Sequence, residues 1–219
     1  MTASPPPDRC RLVLITPAGL PAPALKAGLA EALAGGDVAS VIVPQYGVPE
    51  PAFQELAEAL VPVVQAAGAA AVLAGETRIA DRVGADGVHL DARPDMLGEA
   101  VSRLRPRLIV GAGAIRSREE ALACGELQPD YVFFGRFGYD TRAEPHPRNL
   151  ALAEWWAEMI EIPCIVLGGS AVGSVEAAAL TGADFAALSQ AVFGADADPA
   201  AAVATANALL DEKAPRFTG

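Results

Sequence analysis

The chain is short of cysteine, histidine and positive charge, and each shortage removes a class of function. Three cysteines, Cys10, Cys124 and Cys164, are an odd number with no metal-ligand spacing, so no disulfide framework can be read from them. A reducing, cytoplasmic setting is the expectation. Only two histidines are present, His89 and His146, so any imidazole chemistry falls on one of them. Lysine and arginine number 16 against 27 aspartates and glutamates, a net charge of −11. Such a chain repels phosphate backbones and anionic lipid, which makes nucleic acid and membrane poor partners but leaves room for a local site that takes a small phosphate. No apolar run reaches the ~18 residues of a spanning helix. The opening MTASPPPDRC lacks the basic stretch and apolar run of a signal peptide.

What is present is a repeated alternation. Uniformly apolar runs lie at 12–16, 39–44, 69–74, 86–90, 107–112, 130–135, 163–168 and 184–189, as expected of strands buried on both faces. Helical patterns separate them. In one, Phe53, Leu56, Leu60 and Val64 recur at helical spacing. In another, Ser117 and Glu120 form a capping box. In a third, Asn149 is a candidate N-cap for a helix with Leu152, a tryptophan (155 or 156) and Met159 on one face. Trp155 and Trp156 read as core positions or, in a homo-oligomer, as subunit contacts. The first apolar run is followed by ITPAGLPAP and not by G-x-G-x-x-G, which argues against an open dinucleotide-binding sheet. Eight strand–helix units in 219 residues predict a single (β/α)8 TIM barrel over 10–212, with a flexible tail at 1–9 and a frayed end at 213–219.

In such barrels phosphate commonly sits at the loops after strands 7 and 8. Gly168, Gly169 and Ser170 fall after the seventh run, and Leu188 and Ser189 end the eighth. Glycines let backbone N–H groups approach an anion closely, so a phosphate site is expected there; a tight turn and a helix cap are the plain alternatives.

GADGVHL (84–90), DYVFFG (130–135), IPCIVLGGS (162–170) and GADFAALSQAVF (182–193) together resemble the thiamine phosphate synthase family, which also contains the thiazole tautomerases. The likeness runs from about residue 69 to 195. It implies a cytoplasmic enzyme of thiamine biosynthesis that joins a pyrimidine pyrophosphate to a thiazole phosphate and releases pyrophosphate, with Mg2+. Several positions depart from the family's pattern. The Arg/Lys pair after strand 2 is replaced by Pro44, Gln45 and Tyr46, and the Asn-Asp after strand 3 by Ala74 and Gly75, with Glu76 next. H-L-G-Q-x-D after strand 4 is here HLDARPD, with Asp91 and Asp95. The strand-5 serine is Gly113, and Arg116 stands where the tautomerases carry a histidine. The Thr-x-Thr-Lys loop after strand 6 is matched loosely by Thr141 and Arg142.

The resemblance thus gives Glu76, Asp91 and Asp95 as metal candidates and Arg142 as a group for the pyrophosphate. Thr141 and Arg136 join the phosphate-binding set. Asp95 is equally read as a helix cap, and His89 as a barrel-lining residue or a proton-transfer group. The loop 136–149 also carries Asp140, Glu144, His146 and Arg148, and a loop of that length is often functional. Three activities stay open: the synthase reaction, retained or altered; a metal-free isomerisation of a phosphorylated heterocycle; and non-catalytic binding of a phosphorylated small molecule.

Overall fold

The computed structural model describes residues 7–217. Strands and helices alternate: β1 (Arg11–Ile15), α1 (Ala22–Ala34), β2 (Ser40–Pro44), α2 (Glu50–Ala66), β3 (Ala70–Ala74), α3 (Thr77–Val83), β4 (Gly87–Asp91), α4 (Pro94–Leu104), β5 (Ile109–Gly113), α5 (Arg118–Gly125), β6 (Tyr131–Phe134), α6 (Pro147–Met159), β7 (Cys164–Leu167), α7 (Ser174–Ala179), β8 (Phe185–Leu188), α8 (Gln190–Phe193) and α9 (Pro199–Lys213). Each strand pairs in parallel with its neighbour in sequence, and β8 returns to β1 with Leu12 opposite Ala186, so the sheet closes. This is the expected TIM barrel.

The strands are apolar on both faces because the barrel makes two cores. Along β1, Val13 and Ile15 join Ile42, Val72, Phe133 and Ile165 in the inner cluster, whereas Leu12 and Leu14 belong to the outer one shared with the helices. Alternate residues of a strand face opposite sides of the sheet, so a run with no polar alternation is what this geometry needs. On α2, Phe53, Leu60 and Val64 are fully buried and Leu56 partly so. All three cysteines are buried, and burial pushes their thiols up to about 12, so none is a nucleophile.

The helix starts differ in detail from those expected. Ser117 Oγ accepts from the Glu120 amide at 3.2 Å, but Glu120 Oε2 accepts from Arg116 N at 2.6 Å, one residue earlier than a capping box requires. α6 starts at Pro147, not after Asn149: His146 caps it, its Nδ1 accepting from Arg148 N at 3.2 Å. Proline suits a first helical position because its missing N–H would be unpaired there. Along α6, Leu152 and Trp156 face the core, but Met159 is 65% exposed. α4 begins at Pro94 with Arg93 at the cap position, so Asp95 lies in its first turn.

Three aspartates bind the N-terminal end of the barrel. Asp86, Asp130 and Asp184 stand just before β4, β6 and β8. Each accepts from an amide of the preceding strand: Ala71 at 2.7 Å, Val110 at 2.8 Å and Cys164 at 2.8 Å. The two ends of the described chain also meet. Arg9 is buried and donates to Asp211 (2.8 Å), the Cys10 carbonyl (2.8 Å) and Asn207 (3.1 Å), and it forms an isolated bridge with Arg216. The expected tail and frayed end include residues 1–6 and 218–219, which lie outside the described residues.

Candidate active site at the mouth of the barrel

Two adjoining cavities open where the strands end. The larger, about 1060 Å³, is walled by the β5–α5 loop (Ala114, Ile115, Arg116), by the long β6–α6 loop from Arg136 to Asn149, and by Gly168 after β7. The smaller, about 420 Å³, lies between Gln45, Tyr46, Gly75, His89 and Phe137. Asp91 and Arg136 border both. The larger cavity is lined by four arginines, 116, 136, 142 and 148, and by three carboxylates, Asp91, Asp140 and Glu144. No ion pair or side-chain hydrogen bond engages any of the four guanidiniums among the described residues; that of Arg136 lies 4.0 Å above the Tyr139 ring.

The residues expected to cradle phosphate are brought together after β7 and β8, with their amides already in use. Gly168 N donates to Ala187 O (2.8 Å), Gly169 N to Ser174 Oγ (2.9 Å) and Ser170 N to Arg142 O (2.7 Å). Gln190 N, next to Ser189, donates to Asp140 Oδ2 at 2.7 Å. The β6–α6 loop is therefore folded down onto the two strand ends, with the Asp140 carboxylate where an anion was expected. A β-carbon at Gly169 would collide with the Ala143 carbonyl, so the glycine here admits the protein's own loop. Leu188 is core. Asp140 Oδ1 and Ser189 Oγ are buried without a protein partner among the described residues. Thr141 and Arg142 are exposed at the rim.

His89 lines the barrel. Its Nδ1 is 2.9 Å from the Tyr131 hydroxyl, its ring packs on Phe133 and Phe137, and a β-carbon at Gly113 would come within 2.5 Å of Nε2. Burial takes its pKa down to about 3, which keeps it neutral and a weak base at neutral pH. The glycine in the strand-5 position thus makes room for the imidazole.

The metal candidates are not gathered. Asp91 reaches the cavities, but Glu76 at the start of α3 and Asp95 in the first turn of α4 line neither. Among the described residues no three His, Cys, Asp or Glu groups are placed to share a metal ion. Mg2+ is usually held by one or two carboxylates together with water and substrate phosphate, and of the three candidates only Asp91 faces the cavities, so the expected set of three does not form one site. The β2 end supplies no charge either. Gln45 Nε2 donates to Val48 O (2.8 Å) and the Tyr46 hydroxyl to Thr16 O (3.0 Å).

Residues 12–192 match the family described as thiamine monophosphate synthase. The chain belongs to this family. It is 38% identical over 202 residues to the thiamine-phosphate synthase of Rhodospirillum centenum, covering 92% of this chain and 98% of that one. It is 37% identical over 219 residues to that of Hyphomonas neptunium, covering 97% and 99%. Thiamine phosphate pyrophosphorylase from Pyrococcus furiosus superposes with a TM-score of 0.75 at 25% identity, over 94% of this chain and 97% of that one.

The charged side chains of the larger cavity come from the end of β4 (Asp91), the β5–α5 loop (Arg116), the β6–α6 loop (Arg136, Asp140, Arg142, Glu144) and the first turn of α6 (Arg148). Sequence reasoning placed Arg136 and Arg142 in the site and noted Arg116 and Arg148. It missed Tyr131 as the partner of His89 and Asp140 as the contact of the β8 end. Nothing local marks Asp140, whose partner is 50 residues away.

Proposed function

We propose that this chain is a thiamine phosphate synthase, taking a pyrimidine pyrophosphate and a thiazole phosphate. The observation that carries this reading is a family match over nearly the whole barrel, combined with a two-part cavity at the strand ends. In the reaction, the bond between the pyrimidine's carbon and the pyrophosphate oxygen breaks, and its electron pair leaves with pyrophosphate. The ring nitrogen of the thiazole phosphate gives its lone pair to the same carbon, forming the new C–N bond. Charge gathers on the leaving group, and fixed positive groups in a partly enclosed site are the most effective way to stabilise it. Arg136 stands at the border of the two cavities, where a ring in the smaller and a diphosphate in the larger would meet. The smaller cavity offers aromatic surfaces, Tyr46 and Phe137, to a flat heterocycle.

The thiazole phosphate is assigned to the loops after β7 and β8. To reach the amides of Ser170 and Gln190 it replaces the Arg142 carbonyl and the Asp140 carboxylate, so binding lifts the β6–α6 loop. Lid movements of this kind shield chemistry from water. His89 is assigned a packing role, in which it holds the cavity floor through Tyr131.

The test is direct. Purified protein is given both substrates and thiamine phosphate is measured. Product formation supports the reading. Failure to form product while thiazole phosphate still binds would turn the assignment to a binding protein, and rearrangement of a thiazole phosphate alone would turn it to an isomerase.

A further inference from the structure

Of the metal candidates Glu76, Asp91 and Asp95 only Asp91 faces a cavity, whereas four arginines line one. We propose that a diphosphate binds this chain without a metal ion, held by Arg116 from the β5–α5 loop, by Arg136 and Arg142 from the β6–α6 loop and by Arg148 from the first turn of α6. The proposal rests on the synthase reading for which diphosphate is bound, but not for the site itself.

Three observations carry it. First, in a chain of net charge −11 the mouth of the barrel holds four arginines against three carboxylates. Each of the four lacks both an ion pair and a side-chain hydrogen bond among the described residues. Elsewhere Arg82, Arg93 and Arg103, also without an ion pair, donate to Gln54, Met96 and Thr77, Arg118 lies over Trp155, and Arg11, Arg78, Arg105 and Arg107 are paired with carboxylates. Unpaired guanidiniums facing one cavity are free to take an anion. Second, one of the three carboxylates is already engaged: Asp140 accepts from Gln190 N. Third, Arg136 is held by its stacking on Tyr139, so part of the cost of ordering it is met before a ligand arrives.

The chemistry is consistent. A guanidinium carries a permanent charge and a planar fork of donors that matches phosphate oxygens two at a time. Several such groups supply the neutralisation that a divalent cation gives elsewhere, and they do so by hydrogen bonding. The basic residues of the larger cavity lie at the β5 and β6 ends, while the β2 and β3 ends carry no Arg or Lys in their first residues, Gln45, Tyr46, Gly75 and Glu76.

Inorganic pyrophosphate titrated calorimetrically into the full chain tests this, first in excess chelator and then with added Mg2+. Binding is expected in chelator, with affinity that falls as salt is raised. Arg136→Gln and Arg142→Gln should each weaken it by roughly tenfold or more. Arg82→Gln, on the outer face of α3, should leave it unchanged. All three side chains are exposed, so the variants keep the fold. Binding seen only with Mg2+, or equal binding by wild type and both cavity variants, overturns the proposal. Because thiamine phosphate formation is not the readout, metal-free binding without turnover would sink the synthase reading and leave this inference standing.

Discussion

His89 is buried beneath the site, and burial governs its protonation. The folded protein keeps its imidazole neutral down to about pH 3, whereas the unfolded chain protonates it near the ordinary 6.5. Between those values the unfolded state holds the extra proton, so stability rises with pH. The contribution is complete above about 6.5 and is lost as pH falls towards 3. Its slope approaches about 1.4 kcal/mol per pH unit. His89→Asn should therefore lose stability less steeply than wild type on acidification, as read from urea midpoints between about pH 6.5 and 4.5. Equal slopes would mean that the imidazole is charged in the fold. The same reasoning explains why residue type alone misleads here: a histidine at a strand end looks like a general base until the Tyr131 hydroxyl and the apolar rings around it are known.

At the scale of elements, the strands were readable because a parallel barrel buries both faces of every strand: each of the eight apolar runs overlaps an observed strand, and those of β2, β3, β6, β7 and β8 enclose it. The same was true of α2, whose buried side chains recur at helical spacing. The start of α6 was misread by three residues, because His146 followed by Pro147 can open a helix as well as Asn149 and only the backbone path decides. The phosphate loops were legible as composition, Gly-Gly and Ser, but not as occupancy. Two of the groups that fill them, the Arg142 carbonyl and the Asp140 carboxylate, come from the β6–α6 loop through contacts with no local signature. Gly169→Ala tests that packing. The added methyl meets the Ala143 carbonyl and should push the loop off the β7 end, at a cost of about 1–3 kcal/mol. Faster proteolysis within 136–149 together with a lower Tm is the expected result; an unchanged cleavage pattern would count against the closed loop. The three N-terminal aspartates allow a parallel test. Asp130→Ala leaves the Val110 amide without its acceptor and should destabilise by about 1–3 kcal/mol, measured by chemical unfolding.

For the molecule as a whole, the barrel's closure rests on more than the β1–β8 pairing. Arg9 joins Asp211 and Asn207 of α9, and Asn207 Nδ2 in turn donates to the Asp37 carbonyl before β2 at 3.0 Å. Arg9→Met keeps the apolar stem but removes these bonds, and is expected to cost about 1–3 kcal/mol in unfolding experiments. Because Asp211 is 60% exposed, water can solvate it once its partner is gone, which limits the loss. The arrangement also bears on timing. The ribosome makes residue 9 long before residues 207–216, so this buried guanidinium waits for Asn207 and Asp211 while the barrel between them is made. β1 likewise waits for β8. The nascent chain can assemble its middle strands as they emerge, but the ring is completed only after the last helix has left the exit tunnel.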